Sequence, residues 1–151
     1  MPILLDHQLR EQIPHKAAEF PVVYYHDELA ELPNWTGPIH WHPDLEIATA
    51  AKNVLDYQVG QQHIILEAGD SIFINGNVLH RVCQPSGDSP DPVPLIVFSG
   101  AAVAPEHSAM YQKYILPIAQ CGSLPFVVFR QNEPAHREVN RLLQEIYRFL
   151  S

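Results

Sequence analysis

Short apolar runs, set apart by proline, glycine and asparagine, fill the chain from residue 21 to about residue 100. Residues 21–29 (PVVYYHDEL) are rich in β-branched and aromatic side chains and predict a first strand. Residues 31–38 hold two prolines and a glycine and predict a loop. Residues 39–50 (IHWHPDLEIATA) read as a strand pair or one bent strand, because Pro43 removes a ladder hydrogen bond and favours an edge or a bulge. Leu55, Tyr57 and Val59 then alternate on one face of the next strand. Further strands are expected at 63–70, 71–75, 78–84 and 94–100, with a weaker candidate at 127–129. Asn75-Gly76 marks a turn of the hairpin kind, after which 78–84 returns. Short strands at such even spacing predict a mainly β molecule, a closed or nearly closed antiparallel barrel.

The pattern changes period at both ends. Residues 1–20 mix prolines and charges and read as an N-terminal arm; the barrel spans 21–104, and 105–151 is a C-terminal helical segment. Met110, Tyr111, Tyr114 and Ile115 predict a short helix ending near Pro117. A longer helix is expected over 133–150, with Pro134 in its first turn. Val139, Leu142, Leu143, Ile146, Phe149 and Leu150 form its apolar stripe, and Arg141 and Glu145 pair four apart on the rest. The stripe suits either packing on the barrel or a seam between two copies. No glycine cap precedes Ser151, so the chain is expected to be part of something longer.

Composition narrows the function. The length of 151 residues and the 46% hydrophobic content fit one globular domain. The net charge is −8, with 9 basic against 17 acidic residues, which lacks the basic footprint of a nucleic-acid binder. Cys83 and Cys121 have no partner spacing and read as reduced thiols. No apolar run reaches membrane-spanning length and no secretion signal is evident, so a cytoplasmic location is expected.

The chemistry concentrates in HWHPDLE and GDSIFINGNVLH. Residues two apart on a strand share a face, so His40 and His42 project together while Trp41 projects away. Glu46 keeps that parity if the strand stays regular, and His80 comes from a neighbouring strand. Three imidazoles and a carboxylate suit a divalent transition metal: zinc, nickel, iron or manganese. The other reading makes the four polar liners of a ligand pocket. Tyr57 faces inward, either to bond a ligand or to fill the core. Trp35 lies in a loop and either closes over the pocket or anchors the loop. Trp41 either stacks on a ligand or packs between the barrel and the tail helices. The remaining histidines lack ligand spacing.

In these two motifs the chain resembles the cupin superfamily: HxH, three residues and Glu, then Gly-Asp, a short strand, a turn and His. More narrowly, HWHPDLEI, EAGDSIFINGNVLHRV and the tail beginning KYILPIAQCGSLPFVVF are similar to the N-terminal effector-binding and dimerisation domain of AraC-family transcriptional regulators. The likeness covers roughly residues 20–150. Asn75 and Gln84 stand where the cupin pattern has proline and asparagine. The resemblance implies a jelly-roll-like cupin barrel with an arm and two C-terminal helices. It also implies an effector in the barrel; the mixed interior, with His and Glu beside Leu55 and Val59, suits a small polar one (a sugar or carboxylic acid), bound by His40, His42, Glu46, Tyr57, His80 and Trp35. A homodimer through the C-terminal helices is implied too, with DNA contacted only by a helix-turn-helix unit absent from these residues. No catalytic residue is expected, since no second inward carboxylate stands out beyond Asp44. The alternative is a stand-alone metal-dependent cupin enzyme, an oxygenase or isomerase.

Overall fold

In a computed structural model, residues 3–13 and 20–151 are described. Two antiparallel sheets face one another. The larger runs in the order β1 (Val22–Glu28), β7 (Pro92–Phe98), β2 (Leu45–Thr49), β5 (Ser71–Ile74), β8 (Phe126–Phe129). The smaller runs β4 (Gln62–Leu66), β3 (Leu55–Val59), β6 (His80–Cys83). This is the mainly β, jelly-roll-like antiparallel barrel expected, with helices toward the C-terminus. Inward alternation builds the core: Leu55, Tyr57 and Val59 from one sheet meet Ile72, Ile74 and Val97 from the other, all buried. The β3–β4 hairpin closes through Gly60-Gln61, and Gly60 takes the positive φ of 60° that a tight two-residue turn requires.

Pro43 marks where the chain changes sheets. Before it, backbone bridges at Thr36–Cys83 and His40–His80 lay the segment alongside β6 in the smaller sheet. After it, β2 pairs with β5 and β7 in the larger sheet. The bent-strand reading of 39–50 therefore resolves into two segments with a corner at Pro43-Asp44.

Asn75-Gly76 is a turn but not a hairpin, because β5 and β6 belong to different sheets. The Asn75 amide instead reaches out to the carbonyls of Ile118 (2.8 Å) and Leu124 (3.0 Å). Glycine is needed next, since a Cβ at Gly76 would meet the Pro43 carbonyl oxygen at 2.4 Å. Asn77 N–H then donates to the His42 carbonyl (2.8 Å), so this turn buttresses the His42 loop.

The barrel does not stop at residue 104. β8 pairs with β5 along its length and completes the larger sheet, so the C-terminal segment is a helix, a strand and a second helix. Pro117 does not end the first helix. A wide π turn at Tyr111–Ile115 leads without a break into α1 (Leu116–Ala119), and Pro117 follows directly on that turn.

The last helix, α2 (Pro134–Leu150), starts with its proline where expected. Its inward face is Asn140, Leu143 and Tyr147, backed by Val139 and Leu150 against Ile96 and Tyr24. The rest of the apolar stripe, Leu142, Ile146 and Phe149, is exposed, Phe149 by 87%. The Tyr147 hydroxyl reaches Thr49 Oγ1 (2.8 Å), which in turn meets Ser71 Oγ (2.8 Å), tying α2 to β2 and β5. Burial raises the Tyr147 pKa, so the hydroxyl stays protonated.

Candidate metal centre

His40, His42, Glu46 and His80 are all buried, and one donor atom from each lies within 4.8 Å of the others. Three segments supply them. His40 and His42 come from the bridge segment before the corner, Glu46 from β2 after it, and His80 from the first position of β6. The backbones of His40 and His80 exchange two hydrogen bonds (3.0 and 2.9 Å), which fixes their rings 4.4 Å apart between centroids.

The hydrogen bonds settle which nitrogens face inward. His40 Nδ1 lies 3.0 Å from the Pro38 carbonyl, His42 Nδ1 3.0 Å from the Asp44 carbonyl, and His80 Nδ1 2.8 Å from the Val78 carbonyl. A carbonyl only accepts, so each Nδ1 carries a hydrogen and each Nε2 points to the centre. There, Glu46 Oε2 stands 3.0 Å from both His42 Nε2 and His80 Nε2. Two acceptor lone pairs cannot hold a carboxylate oxygen at that distance on their own. A proton or a cation must lie between them, and three backbone-oriented imidazoles with a carboxylate fit a divalent transition metal.

The electrostatics carry the same tension. Burial pushes the His40 pKa down to about 4. Burial also opposes charge on His42, but the Glu46 hydrogen bond and charge outweigh it and raise that pKa. Burial would raise Glu46, yet His80 and His42 hold it well below the ordinary carboxylate range.

A fifth group stands beside the four. Glu11 Oε2 is 3.7 Å from His40 Nε2 and 3.9 Å from His42 Nε2, and its side chain is 8% exposed. Burial pushes its pKa up to about 7. Nothing in the sequence near Glu11 has ligand spacing; only the docking of the arm on the His40–His42 segment brings it in.

Among the other expected site residues, Tyr57 lines the cavity with His40, Glu46 and His80 and is 1% exposed. Trp35 is not among the lining residues. Asn34 and Trp35 both take positive φ (53° and 49°), and Trp35 packs against the barrel core, so it anchors its loop rather than covering the cavity. Trp41 projects away from the histidines as parity demands, but onto the N-terminal arm and not the tail helices: its indole N–H donates to the Gln8 carbonyl (3.0 Å). Asp44 is buried beside the corner. Asn75 and Gln84 serve the backbone, Gln84 by donating to Ser86 and Ser89 carbonyls (2.9 Å each) and accepting from Asp91 N–H (2.9 Å). The free volume left in the cavity is about 30 Å³, and Ile3, Glu11 and Gln12 of the arm form part of its wall. That volume holds an ion or a water, whereas small-molecule pockets run to about 300–1,000 Å³.

Residues 30–90 match the family profile described as "Cupin domain". Over 149 residues, 94% of this chain and 50% of the other, the sequence is 25% identical to an uncharacterised HTH-type transcriptional regulator, YdeC, of Bacillus subtilis (strain 168). The chain thus spans about half the length of the curated relative it matches. Among solved structures, a cupin 2 conserved barrel domain protein from Salinispora arenicola CNS-205 is 20% identical, with a TM-score of 0.43 over 67% of this chain and 84% of that one. An RmlC-like cupin from Shewanella frigidimarina NCIMB 400 is 21% identical, with a TM-score of 0.40 over 52% and 66% of the two chains. No helix of the described residues is long and apolar enough to cross a membrane.

Proposed function

We propose that this chain is the sensing part of a cytoplasmic AraC-type transcriptional regulator: a cupin barrel that holds a divalent metal, responds to a small polar effector and dimerises. The observation that carries the reading is the alignment to an HTH-type regulator along 94% of the chain, with half of that regulator outside it. DNA contact belongs to a further unit, in keeping with the net charge of −8.

His40, His42, Glu46 and His80 would hold the metal, with zinc, nickel, iron or manganese as candidates. A bound divalent ion would supply positive charge for an effector oxygen. The chain's own residues do the rest. Three backbone carbonyls orient the imidazoles. Tyr57, Leu95 and Val97 wall the cavity. A sugar or carboxylic acid does not fit about 30 Å³, so it gains access as Ile3, Glu11 and Gln12 withdraw. An effector that binds only the arm-open form shifts the molecule toward that form.

The homodimer we propose uses the exposed side of α2. Leu142, Ile146 and Phe149 continue into an apolar groove with Phe20, Phe98 and Val103, and their spacing suits a pair of antiparallel helices. Reading the coding sequence past Ser151, and testing the full-length product for binding to its own promoter region by gel shift, examines the class. A basic segment with two helix-turn-helix motifs and a retarded band is the expected outcome. A stop codon after Ser151 and no retardation would favour the enzyme reading instead.

A further inference from the structure

The arm reaches the centre by a specific route. Residues 3–13 double back through a bridge between Leu5 and Glu11, with Asp6 Oδ1 accepting from Gln8 N–H (2.8 Å) and Arg10 N–H (3.0 Å). The far side of this loop lies against Trp41. Glu11 N–H donates to the Trp41 carbonyl (2.8 Å) and Trp41 N–H to the Leu9 carbonyl (3.0 Å). The Arg10 guanidinium covers the Trp41 ring at 5.5 Å. Arg10 and Trp41 thus take the outer side of the contact, while Glu11, His40 and His42 take the inner side.

We propose that Glu11 is a metal ligand carried by the arm, and that a divalent cation in the centre latches the arm across the mouth of the barrel. The inference rests on the metal reading above. Its support is geometric and electrostatic. Glu11 Oε2 stands 3.7 and 3.9 Å from two of the inward Nε2 atoms, within the 4.8 Å that separates the other donors from one another. Those two nitrogens point to the centre, free to offer lone pairs to a cation there, since the backbone carbonyls take their Nδ1 hydrogens. A nearly buried carboxylate facing lone pairs is stabilised by a cation between them. Charge also balances: a divalent ion with Glu46 alone leaves a buried net positive charge, and a second carboxylate brings the centre to neutrality. Metal binding and arm docking then form one coupled equilibrium, in which each favours the other by the same factor.

The test uses the chain stripped of metal with a chelator and titrated with zinc, nickel and manganese ions. Zinc affinity by chelator competition and amide hydrogen exchange of residues 3–13 are read in wild type, Glu11→Gln, Glu11→Asp and His42→Ala. We expect metal to slow exchange of the Glu11 and Trp41 amides in wild type. Glu11→Gln should weaken the affinity by about 10-fold or more, the range for loss of a partner that tunes a metal site, and should remove the metal-dependent protection. Glu11→Asp should recover part of both. Equal affinity in Glu11→Gln, or arm exchange in wild type that ignores metal, overturns the proposal. If His42→Ala loses metal while Glu11→Gln does not, the metal centre stands and only the arm ligand falls. If wild type takes up none of the three ions and no ferrous iron either, both fall. The wild-type exchange measurement decides the matter even where a Glu11 variant fails to fold.

Discussion

The hydroxyl chain from α2 into the barrel allows a graded prediction. Tyr147, Thr49 and Ser71 are all buried, and Thr49 is the middle member, 2.8 Å from each neighbour. Tyr147→Phe removes one end and leaves Thr49 bonded to Ser71, so it should cost only the net worth of a hydrogen bond, about 1 kcal/mol. Thr49→Val keeps the shape but strands two buried hydroxyls at once. Each orphan costs about 1–3 kcal/mol, so a loss of roughly 2–6 kcal/mol is expected. In a domain of this size that lowers Tm by about 4–24 °C, against about 2–4 °C for Tyr147→Phe. The triple variant Thr49→Val, Ser71→Ala, Tyr147→Phe strands nothing and should recover much of the Thr49→Val loss, a strongly non-additive result. Urea unfolding followed by circular dichroism gives all the values. A Thr49→Val cost no larger than that of Tyr147→Phe, or a triple variant equal to the sum of its parts, would refute the idea that this chain docks α2.

Other predictions follow from single sites. Burial works to raise the Asp70 pKa, but Gln131 N–H, the Arg130 guanidinium and Glu67 N–H outweigh it and bring it below its ordinary value. Its contribution to stability is therefore present above the unfolded pKa of about 3.9 and fades as pH falls through the folded value; acid titration of unfolding free energy should show this slope in wild type and lose it in Asp70→Asn. Gly76→Ala puts a Cβ 2.4 Å from the Pro43 oxygen. The backbone must shift, at a cost of about 1–3 kcal/mol; a melting temperature within a degree of wild type would count against the close approach. On the exposed side of α2, Ile146→Lys should convert a dimer to a monomer in light scattering while leaving the circular dichroism spectrum intact, and a wild-type monomer at high concentration would remove the proposed seam.

Much of the barrel is legible from residue alternation. Leu55, Tyr57 and Val59 point inward as their spacing requires, and α2 begins at its proline. The convergence of His40, His42, Glu46 and His80 also follows from the two motifs, although by an unexpected path. Pro43 breaks the strand into two sheets, and the four still meet because His40 bridges His80 in one sheet while Glu46 comes in from β2 in the other. What local pattern does not carry is the pairing of distant segments. Asn75-Gly76 has hairpin composition, yet its flanking strands belong to different sheets. β8 is a short run of four residues whose strand character comes from β5 beside it. On α2 the apolar stripe is wider than the barrel covers, and the polar Asn140 faces inward because its amide donates to the Phe129 carbonyl (3.2 Å). Glu11 is the extreme case: it reaches the centre only because the arm pairs with Trp41, some thirty residues on.

The claim at the centre is that three imidazoles with hydrogens on Nδ1 and one shared carboxylate await a cation. Elemental analysis of the purified chain, beside His42→Ala with its folding checked by circular dichroism, tests it most directly. We expect about one divalent transition-metal ion per chain in wild type, held after dialysis or taken up on titration after chelation, and little in the variant. Wild type that binds none of the four candidate metals, or a variant with unchanged content, would contradict it.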